Sequence, residues 1–378
     1  MKPKKSLKIK ALIACGGTGG HLFPGIAIAQ GFLDANPKSR ILFAGSGRPL
    51  EKSVLSDAGF KLKTIEIGGL KGMGIKGQAR TFLKLPGSIF TSIQIIKKFS
   101  PDLVIGMGAY TSGPVALAAK FLNKRVILCE QNIIPGITNR LLSRFSDRIY
   151  VSFDKTRIKA PSGQVLHTGN PVRKIILKAS EKGNTKLEEA GSDKPFTILI
   201  TGGSQGAHSI NMAVIDALKQ IKLKQVKNLF FIHQTGTHDE KLVKNAYKNA
   251  NIKADVRPFF RDMTDVYDKS DLTICRAGAT TVAEVSLLGK GLVFIPYPYA
   301  ADNHQELNAK SLVDAGAAKM ILDKDLDGRS LACIIEDFRN NPETLLKMAL
   351  KSKSFARPDA ADRIIADCYK LILQDRKG

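Results

Sequence analysis

Two glycine-rich segments each follow an apolar run typical of a strand and precede a pattern typical of a helix. They read GGTGGH at 16–21 and TGGSQGA at 201–207. Glycine lets backbone N–H groups approach an oxyanion closely, and the N-terminus of the following helix adds about half a positive charge. Both segments therefore predict phosphate-binding loops, and the Ser204 hydroxyl adds a donor to the second one.

Several polar side chains beside such loops could take part in chemistry. His21 could be a general base or a phosphate ligand, because an imidazole exchanges protons near neutral pH, or it could only cap the helix. The segment GMGAYTSGP at 106–114 could cradle a second phosphate group. Glu284 could hold both ribose hydroxyls or act as a helix-dipole glutamate. The polar cluster DNHQELNA at 302–309 has amide and imidazole groups of the kind that bind sugar hydroxyls.

The same residues argue against a dinucleotide enzyme and against a metal enzyme. A dinucleotide site needs an acidic residue about 20 positions after its glycines, but here the next strand ends in LFAGS at 42–46. The five cysteines are far apart and form no C-x-x-C pair, and the D-x-D spacing at 323–327 lies in a polar turn. We expect no metal and no cofactor, because backbone amides and Ser204 can stabilise a departing diphosphate.

Apolar runs rich in Val, Ile and Leu alternate with helical patterns along the whole chain, which predicts parallel sheets covered by helices on both faces. Because 378 residues exceed one core, we expect two doubly wound α/β domains. Residues 177–195 lose the apolar periodicity and read as a surface loop or linker. Ligands of open parallel sheets bind beyond the carboxyl ends of the strands, so two sheets facing a cleft suit group transfer.

Positive charge is concentrated in the first half of the chain. Residues 1–160 hold 26 of the 58 Lys and Arg residues but only 8 of the 34 Asp and Glu residues. Within 71–99, apolar residues such as Phe90 alternate with Lys and Arg, which suits peripheral binding to an anionic membrane. The alternatives are an ordinary helix packed on its sheet, or a nucleic-acid-binding surface, although no nucleic-acid motif accompanies the charge. No segment is apolar for the ~20 residues that span a bilayer.

Seven segments, in this order along nearly the whole chain, together resemble the MurG family. They are GGTGGH at 16–21, GMGAYTSGP at 106–114, EQN at 130–132, GNPVR at 169–173, TGGSQGA at 201–207, CRAGATTVAE at 275–284 and DNHQELNA at 302–309. The resemblance implies the GT-B architecture of two Rossmann-like domains. It implies an N-terminal acceptor and membrane-associating domain at 1–170, a C-terminal donor domain at 171–350, and a last helix within 351–378 that packs back toward the first domain.

The resemblance also implies a reaction: inverting transfer of N-acetylglucosamine (GlcNAc) from UDP-GlcNAc to the C4 hydroxyl of the muramoyl sugar of lipid I, which gives lipid II for peptidoglycan. The acceptor is linked to undecaprenyl diphosphate, so the expected location is the cytoplasmic face of the bacterial inner membrane. Other cell-wall and division proteins are implied as partners. The alternatives are a GT-B enzyme with another acceptor or a UDP-sugar epimerase.

Carried onto this chain, the resemblance assigns roles to individual residues. His21 would assist deprotonation of the acceptor hydroxyl or orient the acceptor diphosphate. His304 stands where the family often has glutamine, and Phe260 where an aliphatic residue is common. The expected donor-binding residues are Thr18, Gly19, Gly20, Asn132, Arg173, Ser204, Phe260, Ala279, Thr280, Glu284 and Gln305.

Overall fold

The computed structural model describes residues 7–16, 19–66, 75–182, 194–220, 228–260 and 262–375. The chain divides into two compact units. The first comprises Met1–Arg173 with Arg357–Gly378, and the second comprises Lys174–Ala356. Within the described residues, no helix is long and apolar enough to cross a membrane.

The first unit contains a seven-stranded sheet in the order β3-β2-β1-β4-β5-β6-β7, in which every pair of neighbouring strands is parallel. Its strands are β1 (Lys10–Ala14), β2 (Arg40–Gly45), β3 (Lys61–Thr64), β4 (Leu103–Gly106), β5 (Arg125–Glu130), β6 (Arg148–Val151) and β7 (Val165–His167). Its helices are α1 (Gly19–Ala35), α2 (Pro49–Asp57), α3 (Ile75–Phe99), α4 (Ser112–Phe121), α5 (Ile137–Leu142) and α14 (Ala360–Asp375).

The central strand β1 is covered on both faces. Ile13 packs in a core with residues of α1 and α14, whereas Leu12 packs in a second core with residues of α4. Successive side chains of a strand point to opposite faces, and a strand buried on both sides must be apolar throughout. This explains the uninterrupted ALIA run after Lys10.

The C-terminal helix α14 is part of the first unit, where it packs on α1. A Cβ atom added at Gly31 of α1 would lie 2.2 Å from Cδ1 of Ile365, so a larger residue there would require the Ile365 side chain to move. Asp367 also accepts hydrogen bonds from Arg148 Nε (2.9 Å) and from the Tyr150 hydroxyl (3.0 Å). The helix begins at Ala360 rather than at 351, because residues 351–354 complete the preceding helix.

The second unit contains a six-stranded sheet in the order β10-β9-β8-β11-β12-β13, again parallel throughout. Its strands are β8 (Phe196–Thr201), β9 (Leu229–Gln234), β10 (Ala254–Arg257), β11 (Leu272–Cys275), β12 (Gly291–Phe294) and β13 (Lys319–Met320). Its helices are α6 (Lys174–Lys182), α7 (His208–Gln220), α8 (Glu240–Asn249), α9 (Met263–Lys269), α10 (Ala279–Leu288), α11 (His304–Val313), α12 (Gly328–Asn340) and α13 (Pro342–Ser354).

The prediction of two doubly wound parallel α/β sheets is confirmed, but the loop prediction for 177–195 is wrong at its start. Helix α6 continues through Lys182, because Ile176 and Ala179 are spaced by three residues and are both buried. Residues 183–193 of that predicted loop lie outside the described residues. The short strand β7 and the helices α9, α12 and α13 were not predicted.

We expect Ile364→Ala in α14 to lower the free energy of unfolding of the first unit by about 2–5 kcal/mol, as for other large-to-small core substitutions. Ile364 is fully buried, whereas Leu373 on the same helix is 48% exposed. Leu373→Ala is therefore the matched control and should change stability little. Urea unfolding of both variants measures the difference in the free energy of unfolding. Equal losses would contradict the packing of α14 as part of the core of the first unit.

Candidate functional site

The strand order reverses once in each sheet, and the candidate site residues gather at these points. In the first sheet β1 lies between β2 and β4, and in the second β8 lies between β9 and β11. At such a switch point the connections that follow two neighbouring strands, here β1 and β4 or β8 and β11, lead to opposite faces of their sheet. This opens a crevice at the carboxyl ends of the two strands. The two predicted phosphate loops follow β1 and β8.

In the first unit, side-chain hydrogen bonds join the loop after β4 to the end of β1. The Thr111 hydroxyl donates to the Cys15 carbonyl and the Ser112 hydroxyl to the Ala14 carbonyl, each at 3.0 Å. Thr111 and Ser112 are both buried. The segments 16–21 and 106–114 thus lie side by side, although Gly17 and Thr18 are outside the described residues.

His21 lies in the first turn of α1, and its ring is held by a residue after β5. Its Nδ1 atom is 3.0 Å from Oε1 of Gln131, whose Nε2 donates to the Cys129 carbonyl at 3.3 Å. Because the Gln131 oxygen can only accept, this arrangement requires the proton on Nδ1 of His21. The unprotonated Nε2 is then left to accept a proton, as a general base requires.

Glu130, at the end of β5, organises the segment that carries Asn132. One carboxylate oxygen accepts from the backbone N–H of Asn132 (2.9 Å), and the other accepts from Gly136 N–H (3.0 Å) and Asn139 Nδ2 (2.8 Å). Glu130 is only 2% exposed, and a buried carboxylate requires such partners. The backbone of Asn132 is therefore fixed by the carboxylate of Glu130, a role that the EQN segment alone does not predict.

Three further predicted donor residues also belong to the first unit. Gly19 and Gly20 form the start of α1. Arg173 is the last residue of the unit's first segment, and its guanidinium carbon lies 4.4 Å from the centre of the Phe23 ring. Stacking on an aromatic face restrains the long arginine side chain at the end of the segment.

The loop after β8 in the second unit is shaped by two glycines with positive φ, Gly203 (89°) and Gly206 (76°). A Cβ atom on Gly206 would lie 1.9 Å from the carbonyl oxygen of Thr235. Close packing against the loop after β9 thus requires glycine at this position. Ser204 is exposed at the tip of the loop, and α7 begins four residues later at His208.

Gln234 connects this loop to Phe260. Its Nε2 donates to the Gly203 carbonyl at 2.9 Å, and its Oε1 accepts from the backbone N–H of Phe260 at 2.9 Å. Gln234 is 3% exposed and stands at the end of β9. The N–H of Phe260 is engaged within the unit, so a ligand at this position would have to meet its carbonyl group.

The remaining predicted donor residues follow β11 and β12. Ala279 and Thr280 open α10, and Glu284 stands one turn further along the helix, where it is 4% exposed. Gln305 lies in the first turn of α11, and its Oε1 accepts from the backbone N–H of Tyr297 at 3.0 Å. The preceding residue, His304, contacts the Ala301 carbonyl in its own turn through Nδ1 at 2.7 Å.

The D-x-D spacing near residue 323 has a structural explanation. Asp323 Oδ1 accepts from Arg276 Nη1 at 2.5 Å and from the Ser209 hydroxyl at 2.8 Å, and Arg276 Nη2 donates to Ser209 at 2.9 Å. Arg276 Nη1 also reaches the carbonyl groups of Ile295 and Pro296. This network joins α7 to the loops after β11 and β12 around the site. The sequence alone does not predict it.

The predicted residues thus form two groups, one at each switch point. Gly19, Gly20, His21, Asn132 and Arg173 lie in the first unit. Ser204, Phe260, Ala279, Thr280, Glu284 and Gln305 lie in the second unit. Gln131, Glu130, Gln234 and Arg276 hold these residues or their loops in place. The first two and Arg276 lie within the quoted segments, but the sequence does not predict their positioning roles, because the sheet sets which residues they meet.

Two parallel-sheet units with glycine loops at both switch points have the architecture of the GT-B class. Residues 11–151 match the glycosyltransferase family 28 N-terminal domain, and residues 197–364 match the glycosyltransferase family 28 C-terminal domain. The chain is 31% identical to Acinetobacter baumannii MurG, whose crystal structure superposes with a TM-score of 0.75 over 97% of this chain and 99% of that one.

Two relatives carry the name UDP-N-acetylglucosamine--N-acetylmuramyl-(pentapeptide) pyrophosphoryl-undecaprenol N-acetylglucosamine transferase. The one from Syntrophus aciditrophicus is 44% identical over 97% of this chain and 99% of its own length. The one from Geotalea uraniireducens is 42% identical over 94% and 97%. The chain therefore belongs to the MurG family of glycosyltransferases. A UDP-GlcNAc 2-epimerase from Neisseria meningitidis, at 18% identity and a TM-score of 0.66 over 96% of this chain and 100% of its own, shares the fold alone.

We expect Gly206→Ala to destabilise the second unit by clearly more than Gly203→Ala. Both positions have positive φ, which costs a residue with a Cβ atom about 1–2 kcal/mol. Only at Gly206 does the added atom also collide with backbone, since nothing lies within 4 Å of a Cβ atom at Gly203. Urea unfolding of the two variants isolates the collision, and equal losses would contradict the packing of loops 201–207 and 235–236.

Proposed function

We propose that this enzyme transfers GlcNAc from UDP-GlcNAc to the C4 hydroxyl of the muramoyl sugar of lipid I, with inversion at the anomeric carbon. Membership of the MurG family, at 44% identity over almost the entire chain, is the observation that carries this proposal. The hydroxyl oxygen forms a bond to C1 of GlcNAc while the bond from C1 to the donor phosphate breaks. UDP leaves with the electron pair of that bond.

His21 is the proposed base that receives the hydroxyl proton. Its Nδ1 faces Gln131, so the accepting nitrogen is Nε2, and the imidazolium that forms keeps its hydrogen bond to the Gln131 carbonyl oxygen. Gln131 is thereby a positioning residue that fixes both the tautomer and the ring orientation. Asn132 is proposed to contact the GlcNAc group, and Gly19 and Gly20, with Thr18, to approach the donor at the start of α1.

The donor nucleotide is proposed to bind at the switch point of the second unit. Ser204 and the backbone amides of its loop would stabilise the negative charge of the departing diphosphate, as preorganised hydrogen-bond donors do. Ala279 and Thr280 would line the phosphate and sugar at the N-terminus of α10. Glu284 would hold the ribose, the Phe260 backbone would meet uracil, and Gln305 would offer its Nε2 to the sugar hydroxyls.

The direct test is transfer of labelled GlcNAc from UDP-GlcNAc to a lipid I analogue, with EDTA present and with a donor-only reaction as control. A lipid-dependent β-1,4 product supports the proposal and shows that no freely exchanging metal is needed. Epimerised donor without transfer would instead identify the chain as a UDP-sugar epimerase, and transfer only to other acceptors would refute the acceptor assignment.

We expect His21→Ala to lower kcat by about 10²–10⁴, the usual contribution of a general base. Gln131→Leu should lower kcat less and shift its pH profile, since the ring would remain but lose the partner of Nδ1. His167→Ala is the control, because His167 lies in β7 of the same unit, away from the switch point. A near-normal rate of the His21 variant in steady-state transfer assays would refute the role of base.

We further propose that the first unit binds the surface of the membrane that holds the lipid acceptor. Phe121 and Phe145, which are 77% and 57% exposed, line one groove of about 260 Å³ together with Lys120. Leu141 (67% exposed) and Phe90 (62% exposed) are further apolar side chains on the surface of this unit. Exposed aromatic residues beside basic ones suit the interface of an anionic bilayer, at about 1 kcal/mol per basic group.

The double variant Phe121→Ser with Phe145→Ser is expected to bind vesicles of anionic phospholipid at least about tenfold more weakly, because it removes two apolar side chains from the interface. Leu373→Ser removes an exposed leucine from α14 and is the control. Vesicle sedimentation at low and at high salt separates the apolar part of binding from the electrostatic part. Unchanged binding of the double variant would assign membrane contact to another surface.

A further inference from the structure

Three side chains that could bind a metal meet beside the loop after β8. They are His208, the first residue of α7, and the neighbouring His238 and Asp239, which precede α8. One ligand atom from each lies within 4.8 Å of the others. None of the three was assigned a role in sugar transfer, and about 30 residues of sequence separate the first from the other two.

Both imidazoles direct the same nitrogen to one carboxylate. His208 Nδ1 is 3.0 Å from Oδ2 of Asp239, and His238 Nδ1 is 2.8 Å from Oδ1. A tetrahedral zinc site with bonds of 2.0–2.2 Å places its ligand atoms about 3.3 Å apart. Small side-chain movements therefore suffice to admit the ion between the three groups.

The carboxylate is anchored from behind, as the ligands of metal sites commonly are. Asn211 Nδ2 donates to Asp239 Oδ2 at 2.7 Å, and Asn211 Oδ1 lies 3.0 Å from Nε2 of His233. The other nitrogen of His233 meets the Tyr247 hydroxyl at 3.2 Å. Asn211, His233 and Tyr247 are all nearly fully buried, so Asp239 is held by a rigid chain of partners.

The charge state of the ligands favours a cation. Asp239 accepts hydrogen bonds from His238, Asn211 and His208, which favour its negatively charged form. The two imidazole side chains are 67% and 91% exposed, which leaves an open path for the ion. The hydrogen bonds from the two exposed imidazole rings to Asp239 contribute little to the stability of the fold. Stability alone therefore does not explain why both rings meet the same carboxylate.

We infer that His208, His238 and Asp239 form a binding site for a divalent transition metal ion, of which Zn²⁺ fits the ligand set best. Two imidazole nitrogens and a carboxylate oxygen are zinc ligands, and a site with three protein ligands leaves the fourth position to water or another oxygen donor. Each neutral ring would carry its proton on Nε2 when Nδ1 binds the ion. The ion would link the start of α7 to the start of α8, beside the loop that carries Ser204.

The test is titration of the full-length protein, stripped with EDTA, with Zn²⁺ by calorimetry in the absence of sugar nucleotide. The site predicts saturable binding of one ion per chain at these ligands, weakened at least about 10–100-fold in His208→Ala and in His238→Ala. His167→Ala is the matched control, because His167 Nδ1 lies 3.8 Å from Asp154 Oδ1 and no third metal ligand joins this pair among the residues that the structure describes. It should bind Zn²⁺ like the unmodified protein.

Two further measurements keep the result independent of folding and of catalysis. Excess Zn²⁺ should raise the thermal midpoint of the unmodified protein but not that of His238→Ala, since a ligand that binds only the folded state stabilises it. Substituted Co²⁺ should show the intense visible absorption of a four-coordinate ion only when both histidines are present. Binding that persists unchanged in both histidine variants, or no binding at all, would overturn the inference. Neither outcome would bear on sugar transfer.

Discussion

The reversal of strand order at the centre of each sheet is the constraint on which the rest of this enzyme depends. Because β1 lies between β2 and β4, the connections after β1 and β4 lead to opposite faces of the first sheet, and those after β8 and β11 do the same in the second. Each divergence leaves space for a ligand at the carboxyl ends of the strands. Backbone N–H groups at this place carry no net charge, but they can donate hydrogen bonds to a phosphate group, and the dipole of the following helix favours the negative charge. A chain with this topology needs glycine and small polar residues there.

Buried polar residues then make these loops precise. Thr111 and Ser112 hold the loops of the first sheet together, Glu130 holds the segment of Asn132, and Gln234 links the glycine loop of the second sheet to Phe260. Glu130 and Gln234 stand at the ends of β5 and β9, and Thr111 and Ser112 stand at the start of α4. Rigid packing fixes the position of each. Such preorganised donors lose little free energy to reorganisation when charge develops on the leaving group. The proposed base, His21, depends on the same device, since Gln131 sets its tautomer.

The sequence predicts the sheets well because strands buried on both faces must be apolar, as in ALIA of β1 and LVIG of β4. It also predicts the glycine loops and, through the family resemblance, the residues placed on them. It does not predict the partners that hold them, because Gln131 meets His21 across 110 residues and Arg276 meets Asp323 across 47. Local spacing carries no signal for such pairs. For the same reason the sequence does not predict the cluster of His208 and Asp239. The D-x-D spacing, which is visible in the sequence, instead contributes Asp323 to an internal ion pair.

The donor nucleotide is proposed to bind at the switch point of the second unit. Hydrogen–deuterium exchange of the full-length enzyme with and without UDP tests this binding site directly. We expect UDP to slow exchange in residues 202–208, at the backbone N–H groups of residues 259–260, and around the start of α10 at residues 277–284. Protection confined to the loops after β1 and β4, with the second unit unchanged, would contradict it.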